Sequence, residues 1–271
     1  MSWTSESERL SNDLLEAARR QILDICGHLE NRPDDRLFIA VHQARKRIKE
    51  LRALLRLTRK RTGETFYRQQ NLALRSMARS LAPMRDAAVL LATWHALRES
   101  LPEKISKREF ATVAKKLSLA RPKQPAATAR SRRQLKQKLE SAVAVLEKLP
   151  VRDITKHDIR SGLKRARRRY RAEQRKARRS STDENLHAWR KRVKDLTHQL
   201  ELVGDSISKR TGRHNQQLKK LGRLLGEDHD LALFETVIGK IQPDTGKKLR
   251  EPIKKHRKEL RKAAFKLGRK L

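Results

Sequence analysis

Apolar residues in this chain recur every three or four positions, and that period restricts the possible folds more than any other feature. Leu10, Leu14, Ala17, Ile22, Ile25 and Leu29 form one seam, and Val41, Ala44, Ile48, Leu51 and Leu55 a second. Ile159, Leu163, Ala166 and Tyr170 follow, then Leu186, Trp189, Val193, Leu196 and Leu200. Leu249, Ile253, Leu260, Ala264 and Leu267 make the last. Each is a one-sided stripe on a charged rod, the pattern of a helix packed in a bundle. No segment alternates as a half-buried strand would, and aromatics are only 4% of the residues, so the fold class is all-α.

The breaks between seams carry turn chemistry. Asn31-Arg-Pro-Asp-Asp separates the first two helices, Ser181-Thr-Asp-Glu opens a later one, and the double-proline stretch 120–128 reads as a loop. The pattern predicts helices near 6–30, 35–61, 64–99, 103–118, 130–149, 155–179, 183–209, 212–240 and 245–268. With Pro150 opening the passage between halves, residues 1–150 are expected as one helical bundle and 151–271 as a second.

Charge then narrows the partners. The 271 residues carry a formal charge of +37, spread over both halves rather than confined to a tail. A chain this basic must meet anions. No apolar run is long enough to span a membrane, and no secretory signal is visible at Met1-Ser-Trp-Thr. A single cysteine, Cys26, leaves no internal disulfide or cysteine-based metal cluster, and a cytoplasmic setting is expected.

Within the charge lies an internal repeat. His42-Gln-Ala-Arg-Lys-Arg-Ile-Lys-Glu-Leu51 matches His187-Ala-Trp-Arg-Lys-Arg-Val-Lys-Asp-Leu196, in the order H-x-x-R-K-R-[I/V]-K-[E/D]-L. A weaker repeat aligns Arg75, Arg79, Leu81, Arg85 and Asp86 with Lys219, Arg223, Leu225, His229 and Asp230. Two blocks in the same order in each half imply two copies of one helical unit, related by a pseudo-twofold axis.

At about 100° per residue, Val41, Ala44, Ile48, Leu51 and Leu55 share one arc. His42, Arg45, Lys49, Arg52 and Arg56 occupy the arc beside it. A stripe that only solubilised the helix would point away from the core; one that flanks the seam looks along a crevice between packed helices. His187, Arg190 and Lys194 repeat the stripe, and Glu201 falls where Arg56 stands. Like charges at i,i+4 repel by a few tenths of a kcal/mol per pair, and a bound polyanion reverses that sign.

The duplicated motif, with Leu81-Ala-Pro-Met-Arg-Asp86 and Leu221-Gly-Arg-Leu-Leu-Gly-Glu-Asp-His-Asp230, resembles the CHAD family, the conserved histidine α-helical domain. The resemblance covers nearly the whole chain. It implies two helical bundles with basic residues lining a central groove or pore, binding of inorganic polyphosphate, and association of some members with polyphosphate granules. Members often carry a fused triphosphate-tunnel domain, for which this chain has no room, so a stand-alone binder is expected. The implied polyphosphate residues are His42, Arg45, Lys46, Lys49, Arg52, Arg56, Arg75, Arg79 and Arg85 in the first half. In the second they are His187, Arg190, Lys191, Lys194, Lys219, Arg223 and His229. Glu201 and His229 depart from the first copy, so the two sets are expected to contribute unequally.

Chemistry favours the same ligand: polyphosphate offers a line of charge with no bases to read, which suits Arg forks and Lys point charges at helical spacing. Non-specific nucleic-acid binding is the alternative, through the run 164–179 or the C-terminal 247–270. Zinc-finger spacing is absent, and the few aromatics fall on seams rather than forming a stacking platform. No enzyme is expected. Asp86, Asp230, Glu227 and Asp228 could hold a metal for hydrolysis, yet they read better as partners of neighbouring cations. His42 with Arg45 only superficially imitates a phosphotransfer histidine. No cofactor is expected, nor a metal, since no His-carboxylate cluster stands out in the sequence. Met77, Met84, Trp94, Trp189 and Phe265 read as packing residues.

Overall fold

A computed structural model of the chain describes Glu16, Arg20, residues 37–119, Gln137, 154–203 and 211–271, without the side chains of 37–41, 80, 82–88, 119 and 211. The 10–29 seam, Cys26, the 120–128 loop, the 130–149 helix and the side chains of Met84, Arg85 and Asp86 therefore lie outside the described residues. Those described form eight helices and no strand, as the period dictates. They are α1 (Leu37–Thr62), α2 (Glu64–Ser80), α3 (Ala82–Ser100), α4 (Lys107–Leu119), α5 (Lys156–Arg179), α6 (Asp183–Val203), α7 (Thr211–Ile241) and α8 (Pro243–Gly268).

The caps follow local chemistry. Thr155 and Asp158 form a reciprocal capping box at the start of α5: the Asp158 amide donates to Thr155 Oγ1 at 3.2 Å, and the Thr155 amide to Asp158 Oδ2 at 3.1 Å. Ser106 Oγ accepts from the Glu109 amide at 3.1 Å, which starts α4 at 107 rather than 103. Thr182 Oγ1 accepts from the Asn185 amide at 3.3 Å at the head of α6. The single helix expected over 64–99 is two. It breaks at Leu81, whose amide turns back to the Arg79 carbonyl, ahead of Pro83. Pro83 has no amide hydrogen to continue the ladder but is tolerated in the first turn of the next helix.

The chain divides into two compact units. One comprises 1–82, 124–169 and 195–215, the other 83–123, 170–194 and 216–271. In the first, Ala44, Ile48, Leu51 and Leu55 of the α1 seam are at most 1% exposed. Arg56 on α1 pairs with Asp195 on α6 at 3.0 Å. A Cβ built at Gly162 on α5 would lie 2.4 Å from the Leu57 carbonyl oxygen, so α1 and α5 touch backbone to backbone there.

The second unit is built on aromatics. Trp94 stacks between Phe110 and Phe234 at centroid distances of 5.6 and 5.7 Å, inside a core continued by Ile238, Leu249 and Ile253. Trp189 stacks on Phe265 at 5.4 Å, so the packing expected of both tryptophans is observed. Buried Asp228 receives Arg257 Nε at 3.1 Å and Arg261 Nε at 2.8 Å, and both guanidinium groups also reach Asp183 at 2.5 Å. No helix among the described residues is long and apolar enough to cross a membrane.

Candidate functional site

The two copies of the motif lie in different settings. On α1 the flanking arc gives intermediate burial to Arg45, Lys49, Arg52 and Arg56, while His42 and Lys46 are exposed. Arg45 Nη1 donates to the Ala78 carbonyl of α2. Arg52 Nε donates to Asn71 Oδ1 at 3.0 Å, and Lys46 lies 4.0 Å from buried Glu50. Burial, then the Arg56 and Arg75 charges, hold Arg52 down to about 10, against the opposing pull of Asp195. The fold therefore gathers Arg52, Arg56 and Arg75; Arg75 and Arg79 present exposed side chains on α2. The Arg85 side chain is outside the described residues.

The second copy is tighter. His187 on α6 and His229 on α7 lie with ring centroids 4.3 Å apart. Burial first, then His229, Lys191, Arg190 and Lys194, push the His187 imidazole down to about 4. Its Nδ1 is out of water and has no hydrogen-bond partner among the described residues. Arg190 is 8% exposed, and its guanidinium lies over the α7 backbone, since a Cβ at Gly226 would stand 3.5 Å from its Nε. Lys219 and Arg223 are exposed on α7. Helix geometry sets them about 80–120° away from His229, so α7 turns His229 towards α6 and those two cations elsewhere.

Three further residues take part. Asn71 and Asp195 hold Arg52 and Arg56, and Gly226 makes space for Arg190. Asp195 stands at the motif position of Glu50, yet Glu50 forms its ion pair with Arg47 on its own helix at 3.1 Å while Asp195 forms one with Arg56 of α1. Nothing in the spacing distinguishes the two.

Two of the four candidate carboxylates face basic side chains. Asp228 holds Arg257 and Arg261, and Glu227 meets His256 at 2.8 Å. The sequence showed no His-carboxylate cluster, but folding makes one: donor atoms of Glu50, His198 and Glu201 lie within 4.8 Å of one another. Glu50 already faces Lys46 and Arg47, and His198 meets Glu201 at 3.1 Å, so each of these groups already has a side-chain partner.

A model of the CHAD domain matches residues 16–239, a span holding both motif copies and both companion blocks. The chain belongs to the CHAD family. No curated protein and no solved structure matches it. The CHAD match ends before α8, yet α8 supplies the Arg257 and Arg261 that hold Asp228 within the matched span.

Proposed function

We propose that this CHAD protein binds inorganic polyphosphate, without hydrolysing it, through the His42–Arg56 stripe with Arg75 and the His187–Lys194 stripe with His229. The observation that carries the reading is the His187 cluster. Two imidazoles and three cations are held together although burial and like charge oppose protonation of His187. A polyanion reverses that penalty: its charge favours the imidazolium, and its oxygens accept from Lys, Arg and His at once. The depressed Arg52 beside Arg56 and Arg75 is the same strain in the first copy.

Family membership supports this ligand class, and the engagement of Asp228 by Arg257 and Arg261 supports a binder over a metal-dependent hydrolase. The protein would act in the cytoplasm, where polyphosphate chains condense into granules; a fluorescent fusion that stays diffuse in granule-bearing cells argues against that placement. Calorimetric titration with long-chain polyphosphate tests binding itself. Arg52→Gln with Lys194→Gln should weaken it at least about tenfold, the loss of one charge-assisted contact or more. Unchanged affinity in a variant with an unchanged circular-dichroism spectrum would sink the proposal. Phosphate released during incubation with Mg²⁺ would overturn the non-enzymatic part.

A further inference from the structure

The most uncompensated charge among the described residues lies outside the two stripes, on α5. Arg160, Arg167, Arg171 and Arg178 form one row along this helix, and Lys164, Arg168, Arg175 and Arg179 a second. All are exposed, and none makes an ion pair among the described residues. At about 100° per residue the two rows fit within about 120° of the circumference, roughly opposite buried Ile159, Ala166, Tyr170 and Ala177. The acids of α5, Asp158 and Glu173, fall outside that arc: one caps the helix and the other pairs with Lys176 at 3.5 Å. On α8, by contrast, Glu251 stands among the outward lysines and pairs with Lys254 at 3.8 Å, while Arg257 and Arg261 are spent on Asp228 and Asp183.

We propose that the outward face of α5 docks B-form duplex DNA through its backbone, without reading sequence, at a surface separate from the polyphosphate stripes. The face is convex, so a partner must supply the concavity. A flexible phosphate chain has none, whereas the major groove of B-DNA, about 12 Å wide, admits an α-helix of about 10–12 Å diameter. Two parallel rows of four cations can meet the phosphates of both groove walls, over a length of about 28 Å. Seven of the eight are arginine, whose planar forks suit phosphate oxygens. Apart from His157 in the first turn, the arc holds no amide or aromatic side chain to read or stack on bases. The narrow major groove of an A-form RNA duplex excludes such a helix.

The test uses the full chain and the fourfold variant Arg167→Gln, Arg171→Gln, Arg175→Gln and Arg178→Gln, Gln being a good helix former. A mixed-sequence 20-base-pair DNA duplex, its RNA counterpart and long-chain polyphosphate are each titrated over a range of salt. The expected result is at least a thirtyfold loss of DNA affinity at about 0.1 M salt, with a log–log salt slope shallower by about 3.6. Polyphosphate affinity should stay unchanged. If the fourfold variant loses helix content, Arg167→Gln with Arg171→Gln is used, with a slope change of about 1.8. Unaltered DNA binding overturns the proposal, as does RNA duplex binding as tight as DNA. Parallel loss of polyphosphate overturns it too, by making α5 a general polyanion surface. The two titrations are independent, so a failure of polyphosphate binding at the stripes leaves the DNA result interpretable.

Discussion

At His187, burial and cationic neighbours act in the same direction, and their sum has a measurable consequence. The folded imidazole titrates near 4, whereas a free histidine titrates near about 6.5. Between those values the unfolded chain holds a proton that the folded chain does not. The ligand-free protein should therefore lose stability as pH falls through that window, and His187→Gln should flatten the dependence in thermal melts taken from pH 7 to pH 4. Polyphosphate acts oppositely, because it stabilises the imidazolium. Its binding should take up a proton, and affinity should rise as pH falls from 8 towards 5. Titrations in buffers of different ionisation enthalpy report that uptake directly; the His187→Gln variant should show less of it. A proton count unchanged by that substitution would remove His187 from the coupled equilibrium. At the same scale, Asp228 holds two guanidinium groups in the core of its unit. Asp228→Ala leaves both with only the exposed Asp183 and, for Arg257, Glu235 as partners, and a loss of about 1.5–3 kcal/mol is expected in chemical denaturation.

Among the helices, the closest approach is α1 against α5. A Cβ at Gly162 would lie 2.4 Å from the Leu57 carbonyl, an oxygen of the main chain that no rotamer change can move aside. Gly162→Ala should therefore destabilise by about 1–3 kcal/mol through forced separation of the helices, although alanine is the better helix former by about 1 kcal/mol. Equilibrium unfolding by urea decides the sign. The helices also show what the period could and could not convey. Seam residues such as Ile48, Leu55, Trp189 and Ile253 are buried as their spacing required, because 3.6-residue recurrence is itself the geometry of a helix face. The break at Leu81 was not in the period: the apolar pattern runs through it, and only the missing amide of Pro83 marks it. Spacing also identified the flanking stripe on α1, and its intermediate burial follows from lying beside the seam. It also set Lys219 and Arg223 about 80–120° around α7 from His229, but left open which of these residues meets α6, because the partner of α7 was unknown.

Across the whole molecule, a charge of +37 makes salt act on folding and binding with opposite signs. Raising ionic strength from about 0.01 to about 0.15 M shortens the Debye length from about 30 to about 8 Å. The ligand-free protein should melt higher as its self-repulsion is screened. Polyphosphate affinity should fall over the same range as the attraction weakens. Calorimetric scans with and without polyphosphate should thus converge as salt rises; parallel shifts would show that the net charge is incidental to binding.

What the sequence determined by itself is whatever a single helix carries: the class, the seams, the duplicated stripe and the sign of the partner. These depend on residues three or four apart, whose geometry helix formation fixes without reference to the rest of the chain. Tertiary structure decided the pairings across long separations. Asp195 was brought to Arg56 of α1, its motif counterpart Glu50 was set beside His198 and Glu201 of α6, and His229 was brought to 4.3 Å from His187. It also divided the basic residues, neutralising Arg257 and Arg261 with buried acid while leaving the outward rows of α5 without an ion-pair partner among the described residues. Such choices turn on which helix packs against which, and a side chain's charge state depends on burial and neighbours supplied by other helices.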